Sequence, residues 1–279
     1  MELTSLVHSS KVHSENTLRE FSGGVFLCQD RCVEIIAALI AGCAIGSVLG
    51  FVGAGGAMLS VPILVYLFDF PAHQASIAAL AVVIVAALAG LYPRYKKRDV
   101  LVKEAFIIWA IGTFANIPAA NLVKHLSDGV LLTGFSAVII FAGLTMLQKP
   151  VSAPERPIPL PLLILLSLVI GSITGLFGIG GGFLVVPVLV LAFNSPQNKA
   201  AGTSLLVIVL NCSTALLAHQ SSWSEIKWGI PLLMGISAIA VGQWAGKSAA
   251  KTNPVILRRS FAVLLFTLAA FTLIKTWLA

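Results

Sequence analysis

Hydrophobic and polar positions are strongly segregated along the chain. Seven stretches contain no charged side chain, and they cover residues 35–68, 70–93, 105–123, 129–148, 157–198, 200–224 and 228–246. Apolar runs of this kind predict membrane-spanning helices, which need about 20 residues for each crossing. The runs of 34 and 42 residues exceed one crossing, so each is expected to fold back at its glycine cluster.

These runs predict ten helical segments, five in each half of the chain. The expected bounds are about 34–52, 56–69, 73–92, 103–121, 129–148, 160–178, 182–194, 198–218, 228–247 and 255–275. Composition agrees, because 58% of the residues are hydrophobic and only 10% are charged, against about 25% charged in a typical globular chain. A soluble fold could not cover its surface with so few polar groups. We therefore expect a polytopic helical membrane protein.

The net charge of +7 and the amino terminus fit this interpretation. In a membrane protein the basic residues belong to loops at the membrane surface, so a nucleic-acid partner is not expected. Residues 1–33 form a polar tail of mixed charge without the pattern of a cleaved signal peptide. Four cysteines in 279 residues do not make a disulfide framework, and no metal site is expected at Cys28 and Cys32, which lie in this tail.

An internal repeat organises the chain. Shifting the sequence by 125 residues aligns the two halves without a gap, with 16 identities in the 37 positions of 46–82. Glycines and prolines are among the aligned residues, which apolar bias alone does not explain. The expected domains are a first transmembrane repeat at 34–148, a linker at 149–159 and a second repeat at 160–275.

The basic residues of equivalent loops predict opposite orientations for the two repeats. The loop at 93–103 carries five basic residues, and its equivalent at 219–228 carries only Lys227. Conversely, the loop at 122–128 carries one and its equivalent at 247–259 carries four. Since basic loops stay in the cytoplasm, we expect an all-α integral membrane protein of two inverted five-segment repeats. Inverted repeats are a recurring plan of secondary transporters.

A glycine cluster precedes a short apolar segment in each half. The segments at about 57–69 and 182–194 rise only about 20 Å, so they are expected to be short or broken half-helices following glycine-rich turns. The free N–H groups at the start of such a helix suit a small oxyanion. Close packing or hinge motion is the alternative interpretation. The candidate substrate-binding glycines are Gly53, Gly55, Gly56, Gly178, Gly180, Gly181 and Gly182, and the candidate hinges are Pro62 and Pro187.

Polar side chains within the predicted spans complete the candidate substrate site. Ionisable groups in spans are functional candidates by default, although Lys199 can snorkel to the headgroups and His73 can be an interfacial histidine. Serine and threonine in spans commonly bond their own helix carbonyls instead of a ligand. The candidates are His73, Gln74, Asn198, Lys199, Thr203, Ser204 and Asn211.

The doubled glycine pattern resembles that of a known family. Gly50-Phe51-Val52-Gly53-Ala54-Gly55-Gly56, followed by Pro62, recurs as Gly175 to Gly182 followed by Pro187. This resembles the sulfite exporter TauE/SafE family of membrane permeases over roughly residues 34–275. The resemblance implies transport of sulfite, sulfoacetate or another organosulfonate across the bacterial inner membrane. It also implies that the motif glycines, the prolines and Thr203-Ser204 belong to the site. The first copy has Ala57 where the second has Gly182, so the half-sites are not equivalent.

Three other functions are alternatives to alternating-access transport. An anion channel of the same architecture stays open. A thiol–disulfide carrier needs paired intramembrane cysteines, which the repeat does not align. A serine hydrolase using Ser204 and His219 would separate these residues by about 22 Å along one helix, so no enzyme activity is expected. The expected partners are a small sulfur oxyanion and the lipid bilayer, with a homodimer left open and no cofactor or metal.

Overall fold

The described part of the chain is helical throughout. A computed structural model describes residues 33–53, 56–123, 128–147, 159–177, 182–249 and 251–277. These ranges contain no strand. They form ten α-helices and one 3-10 helix, Gln220–Glu225. The α-helices are α1 (Val33–Val52), α2 (Gly56–Leu67), α3 (Ala72–Lys96), α4 (Val102–Val123), α5 (Asp128–Leu147), α6 (Leu160–Phe177), α7 (Gly182–Phe193), α8 (Gln197–Ala218), α9 (Gly229–Ala249) and α10 (Pro254–Trp277).

The helix pattern confirms the segment predictions with one correction. All bounds agree within two residues except the end of α3, which continues through Pro93 to Lys96 instead of ending at 92. The expected loop at 93–103 therefore begins four residues too early. Arg94 accounts for the difference, because its buried side chain holds the last turn of α3 against the end of α1.

Five helices of the described ranges are long and apolar enough to cross a membrane. They are Val33–Val52, His73–Lys96, Gln197–Ala218, Gly229–Ala249 and Val255–Ile274. Helices α2 and α7 have 12 residues each, as the sequence predicts, and each contains its proline within the helix. Twelve residues rise about 18 Å, which is less than the hydrocarbon thickness.

The turns after the two short helices have the same geometry. Asp69 and Asn194, 125 residues apart, both have positive φ, at 53° and 52°. The next residue in each turn, Phe70 or Ser195, donates its N–H to the carbonyl six residues earlier at 3.1 Å. The repeat seen in the sequence is therefore present in the backbone geometry of these turns.

Glycines bring the first helix of each half against the fourth helix of the other half. A Cβ on Gly46 of α1 would lie 2.6 Å from the carbonyl oxygen of Ala238 in α9. A Cβ on Gly171 of α6 would lie 2.5 Å from the Cα of Gly112 in α4. Gly46 and Gly171 therefore serve close helix packing, because a side chain at either position would collide with backbone.

Helix α8 lies between two hydrophobic cores. One core is built mainly from α4 to α7 and α10 and includes Val207 of α8. The other is built mainly from α1, α2, α3 and α9 and includes Leu205 and Ile208 of α8. Helix α8 also packs against its repeat equivalent α3. It therefore joins the two halves and is in contact with both short-helix regions.

Candidate functional site

The end of α1 is pressed against the second turn of α8. Gly53 follows α1, has φ of +76°, and donates its N–H to the carbonyl of Leu49 at 2.9 Å. A Cβ at this position would lie 2.5 Å from the Cβ of Ala201 and 2.7 Å from its Cα and carbonyl oxygen. Both the left-handed backbone and the close approach require glycine. Gly53, the first residue after α1, therefore packs directly on α8.

The start of α7 is held against the same helix, a short distance along it. Gly182 is the first residue of α7, and the Oγ of Ser204 donates to its carbonyl oxygen. A Cβ at Gly182 would also collide with the side chain of Ile208. Ala201 and Ser204 are three residues apart, or about 4.5 Å along the helix axis. Residues from both glycine clusters therefore contact α8 within one turn.

The remaining cluster glycines divide into two groups. Gly56 begins α2 and is buried, with the side chain of Leu49 occupying the space a Cβ would need. The other four, Gly55, Gly178, Gly180 and Gly181, lie outside the described residues. The contacts of Gly53, Gly56 and Gly182 are thus the part of the clusters whose geometry the structure describes.

Arg94 is a buried cation that the sequence reading missed. Its side chain is 2% exposed, and Nη2 donates to the carbonyls of Gly50 at 2.7 Å and Phe51 at 3.3 Å. Nη1 donates to the carbonyl of Gly90 at 3.4 Å. The first two acceptors belong to the last turn of α1, where carbonyls lack helical partners and carry partial negative charge. The guanidinium therefore lies beside the turn that leads to Gly53.

A sequence signal for Arg94 existed in the repeat. The 125-residue shift places Arg94 on His219, the residue that ends α8. Arg94 lies in the last turn of α3 and His219 directly after the last turn of α8, so both are candidates for helix-end contacts. The charge pattern instead predicts that Arg94 is exposed in the basic loop at 93–103, because basic residues follow it at 96–98.

The hydroxyl groups at the start of α8 make hydrogen bonds within the protein. Thr203 is fully buried; its Oγ1 donates to the carbonyl of Lys199 at 2.7 Å and accepts from the N–H of Leu101 at 3.0 Å. Thr203 therefore ties α8 to the start of α4. Asn198, Lys199 and Asn211 are all half-buried on α8, and Lys199 and Asn211 both have interaction partners.

His73 and Gln74 lie away from the contact between Gly53 and α8. His73 is exposed in the first turn of α3, and its ring centroid is 6.1 Å from that of His219 at the end of α8. Gly90 of α3 is the residue that approaches the end of α1. It follows His73 by 17 residues, or about 25 Å of helix. The structure therefore does not bring His73 and Gln74 together with Gly53.

A second missed residue is Gln197, the first residue of α8. Its side chain is 6% exposed, and within the described ranges neither Oε1 nor Nε2 has a hydrogen-bond partner. The preceding Pro196 provides no side-chain cap for the helix. The start of α8 thus combines backbone N–H groups that have no helical acceptor, those of Gln197 and Asn198, with a buried carboxamide. A polar residue directly after a proline was the sequence signal, but burial alone distinguishes it from an exposed cap.

Comparison with known proteins identifies the family of this chain. The sequence profile of the family described as sulfite exporter TauE/SafE matches residues 38–272. The chain belongs to this family. A probable membrane transporter protein of Xylella fastidiosa is 26% identical over 254 residues, which cover 88% of this TauE/SafE member and 97% of the relative. A probable membrane transporter protein of Methanocaldococcus jannaschii is 25% identical over 252 residues, covering 85% and 94%. The probable membrane transporter protein YdhB of Bacillus subtilis is 29% identical over 174 residues, covering 59% and 70%.

Family membership and the apolar helices together identify a multi-pass membrane transporter. Ser204 and His219 of this TauE/SafE member do not form the hydrogen-bonded pair that a serine hydrolase needs. Ser204 is buried and donates to the carbonyl of Gly182, and His219 lies at the far end of α8 with its Nδ1 against the carbonyl of Ala215 at 2.8 Å.

Proposed function

We propose that this TauE/SafE member carries a small sulfur-containing anion across the bacterial inner membrane by alternating access. Sulfite, sulfoacetate and other organosulfonates are the proposed cargo. The observation that carries the proposal is the convergence of Gly53 and Gly182 on one turn of α8. In this arrangement Gly53, which follows α1, and Gly182, which begins α7, contact a common helix.

Positive electrostatic groups around this turn favour an anion. Helix α8 begins four residues before Ala201, and α7 begins at Gly182, so two helix amino ends lie near the same contact. Each amino end offers unpaired N–H groups and a partial positive charge. Arg94 adds a full charge beside α1, and its hydrogen bonds to Gly50, Phe51 and Gly90 go to neutral carbonyls. The nearby carboxylate of Asp99 interacts electrostatically with Arg94 and offsets part of this charge.

Alternating access requires two halves that can rock against each other. We propose that the two five-helix repeats have inverted topology, as the basic loops at 93–103 and 247–259 predict. The exchange of partners between halves, α1 on α9 and α6 on α4, supports this arrangement. Rocking about the α3–α8 contact would open the site to each side of the membrane in turn.

The other candidate residues receive roles that follow from their positions. Asn198, Lys199 and Asn211 on α8 are proposed to contact the anion, as are the cluster glycines. Thr203 and Ser204 are proposed to position the site through their hydrogen bonds to the start of α4 and to α7. His73 and Gln74 are proposed to contact the cargo on its path along α3. Pro62 and Pro187 are proposed as hinges within the short helices.

Transport by purified protein in proteoliposomes tests the proposal. We expect saturable uptake of sulfite or a short organosulfonate, stimulated by the same anion on the opposite side. Replacing Gly180 or Gly181 with Leu should abolish this flux in folded protein, whereas Gly229→Leu should retain it because no atom lies within 4 Å of a Cβ at Gly229. Flux of a cation, or normal flux in both cluster variants, would contradict the proposed site. Flux without counter-stimulation would indicate a channel.

A further inference from the structure

The Gln197 carboxamide is a buried polar group that makes no hydrogen bond with the described residues. The side chain is 6% exposed, and both of its polar atoms are without partners in the ranges that the structure describes. Buried amides are nearly always hydrogen-bonded, because leaving them unpaired after removal from water is costly. A group of this kind beside a proposed cargo site is a candidate for binding the cargo.

The carboxamide also belongs to the amino-terminal turn of α8. Side chains on a helix tilt toward its amino terminus, and Gln197 is the first residue of α8. The N–H groups of Gln197 and Asn198 in this first turn have no acceptor within the helix, and Pro196 supplies no side-chain cap. Ala201 lies one turn later on the same face and contacts Gly53. Gln197 therefore lies on the α8 face that contacts the first glycine cluster.

We propose that the Gln197 carboxamide binds the transported anion and selects for one that carries an O–H group. Nε2 donates to an anion oxygen, and Oε1 accepts from the O–H group. A fully deprotonated oxyanion offers only acceptors and would leave Oε1 unpaired. The N–H groups of Gln197 and Asn198 at the amino end of α8 take the charge. The class of cargo is therefore hydrogensulfite or a hydroxylated sulfonate; this inference rests on the proposed function.

Two sulfonates that differ by one hydroxyl group test the selection. Affinities for ethanesulfonate and 2-hydroxyethanesulfonate are measured by calorimetry on the full chain in detergent, with sodium chloride matching the ionic strength. Wild-type protein should bind the hydroxylated anion about 3- to 10-fold more tightly, the usual value of one neutral hydrogen bond. Gln197→Leu should weaken binding of both anions and remove the preference. Gln243→Leu, an exposed glutamine on α9, should retain it.

The unliganded variants supply a second readout. Replacing an unpaired buried amide with an apolar side chain of similar size should raise the thermal midpoint without anion. Gln197→Leu and Gln197→Met should therefore both unfold at a higher temperature than wild type. A lower midpoint in both would mean that the amide has a partner within the protein, and it would overturn the proposal.

The outcomes separate this inference from the proposed function. If wild type binds the sulfonates and Gln197→Leu keeps the same preference, Gln197 does not select the cargo and the proposed function stands. If wild type binds neither sulfonate nor sulfite, the sulfur-anion function and the role of Gln197 are both overturned.

Discussion

Replacing Gly53 with alanine should destabilise the protein through two separate effects. The φ of +76° places an L-residue in the left-handed region, which costs about 1–2 kcal/mol. The new Cβ would also lie 2.7 Å from the Cα and carbonyl oxygen of Ala201. Relieving such overpacking costs about 1–3 kcal/mol. The two effects together predict a loss of about 2–5 kcal/mol in the free energy of unfolding.

Thermal unfolding of purified protein in detergent measures this loss. A change of this size should lower the midpoint by roughly 5–15 °C for a chain of this length. Gly229→Ala is the matched control, because this glycine begins α9 with no atom within 4 Å of a Cβ and no positive φ. Its midpoint should stay within the range of a neutral surface change, about 0.5 kcal/mol.

A double variant separates backbone from side-chain conflict. Ala201→Gly removes the atom that would lie 2.5 Å from the new Cβ, but it leaves both backbone atoms at 2.7 Å. Gly53→Ala combined with Ala201→Gly should therefore recover only part of the loss. Full recovery would show that neither the positive φ nor the backbone contact matters. Equal midpoints for Gly53→Ala and Gly229→Ala would refute the described approach of α1 to α8.

Three further predictions concern other contacts of the described helices. Arg94→Met should lower stability by about 2–4 kcal/mol, because carbonyls at the end of α1 lose their donor; Lys97→Met, an exposed neighbour, should have little effect in the same thermal assay. Ser204→Ala should cost about 0.5–1.5 kcal/mol and slow anion flux in proteoliposomes, because α7 loses its hydrogen bond to α8. Gly171→Leu should prevent accumulation of folded protein in membranes, because the new side chain would collide with the backbone of α4. The control variant Gly235→Ala should accumulate normally, because the nearest atom would lie 3.9 Å from its Cβ.

Each of these three has a clear contrary result. A midpoint for the Arg94 variant equal to that of the Lys97 variant would mean that the end of α1 does not depend on the guanidinium. Unchanged stability of Ser204→Ala would mean that the α7–α8 hydrogen bond does not stabilise the protein. Normal membrane levels of Gly171→Leu would contradict the close packing of α6 on α4.

The sequence by itself determined the helices and their repetition. Uncharged runs of membrane-crossing length and the loops between them set nineteen of the twenty helix ends to within two residues, because a charge inside the hydrocarbon region is costly and marks a boundary. The 125-residue shift revealed the repeat, whose turns at Asp69 and Asn194 have matching backbone geometry. The glycine pattern led to the TauE/SafE family, which the family match over 38–272 confirms.

Only the tertiary structure decided how polar groups at helix ends are used. A sequence shows that Arg94 and Gln197 stand next to prolines, but burial depends on which helix from elsewhere in the chain covers them. The end of α1 covers Arg94 across 44 positions, and Ser204 reaches Gly182 across 22. The charge pattern therefore assigned Arg94 to a surface loop, and the structure places it inside. Whether such a residue is exposed or buried depends on long-range packing, which the local sequence pattern does not encode.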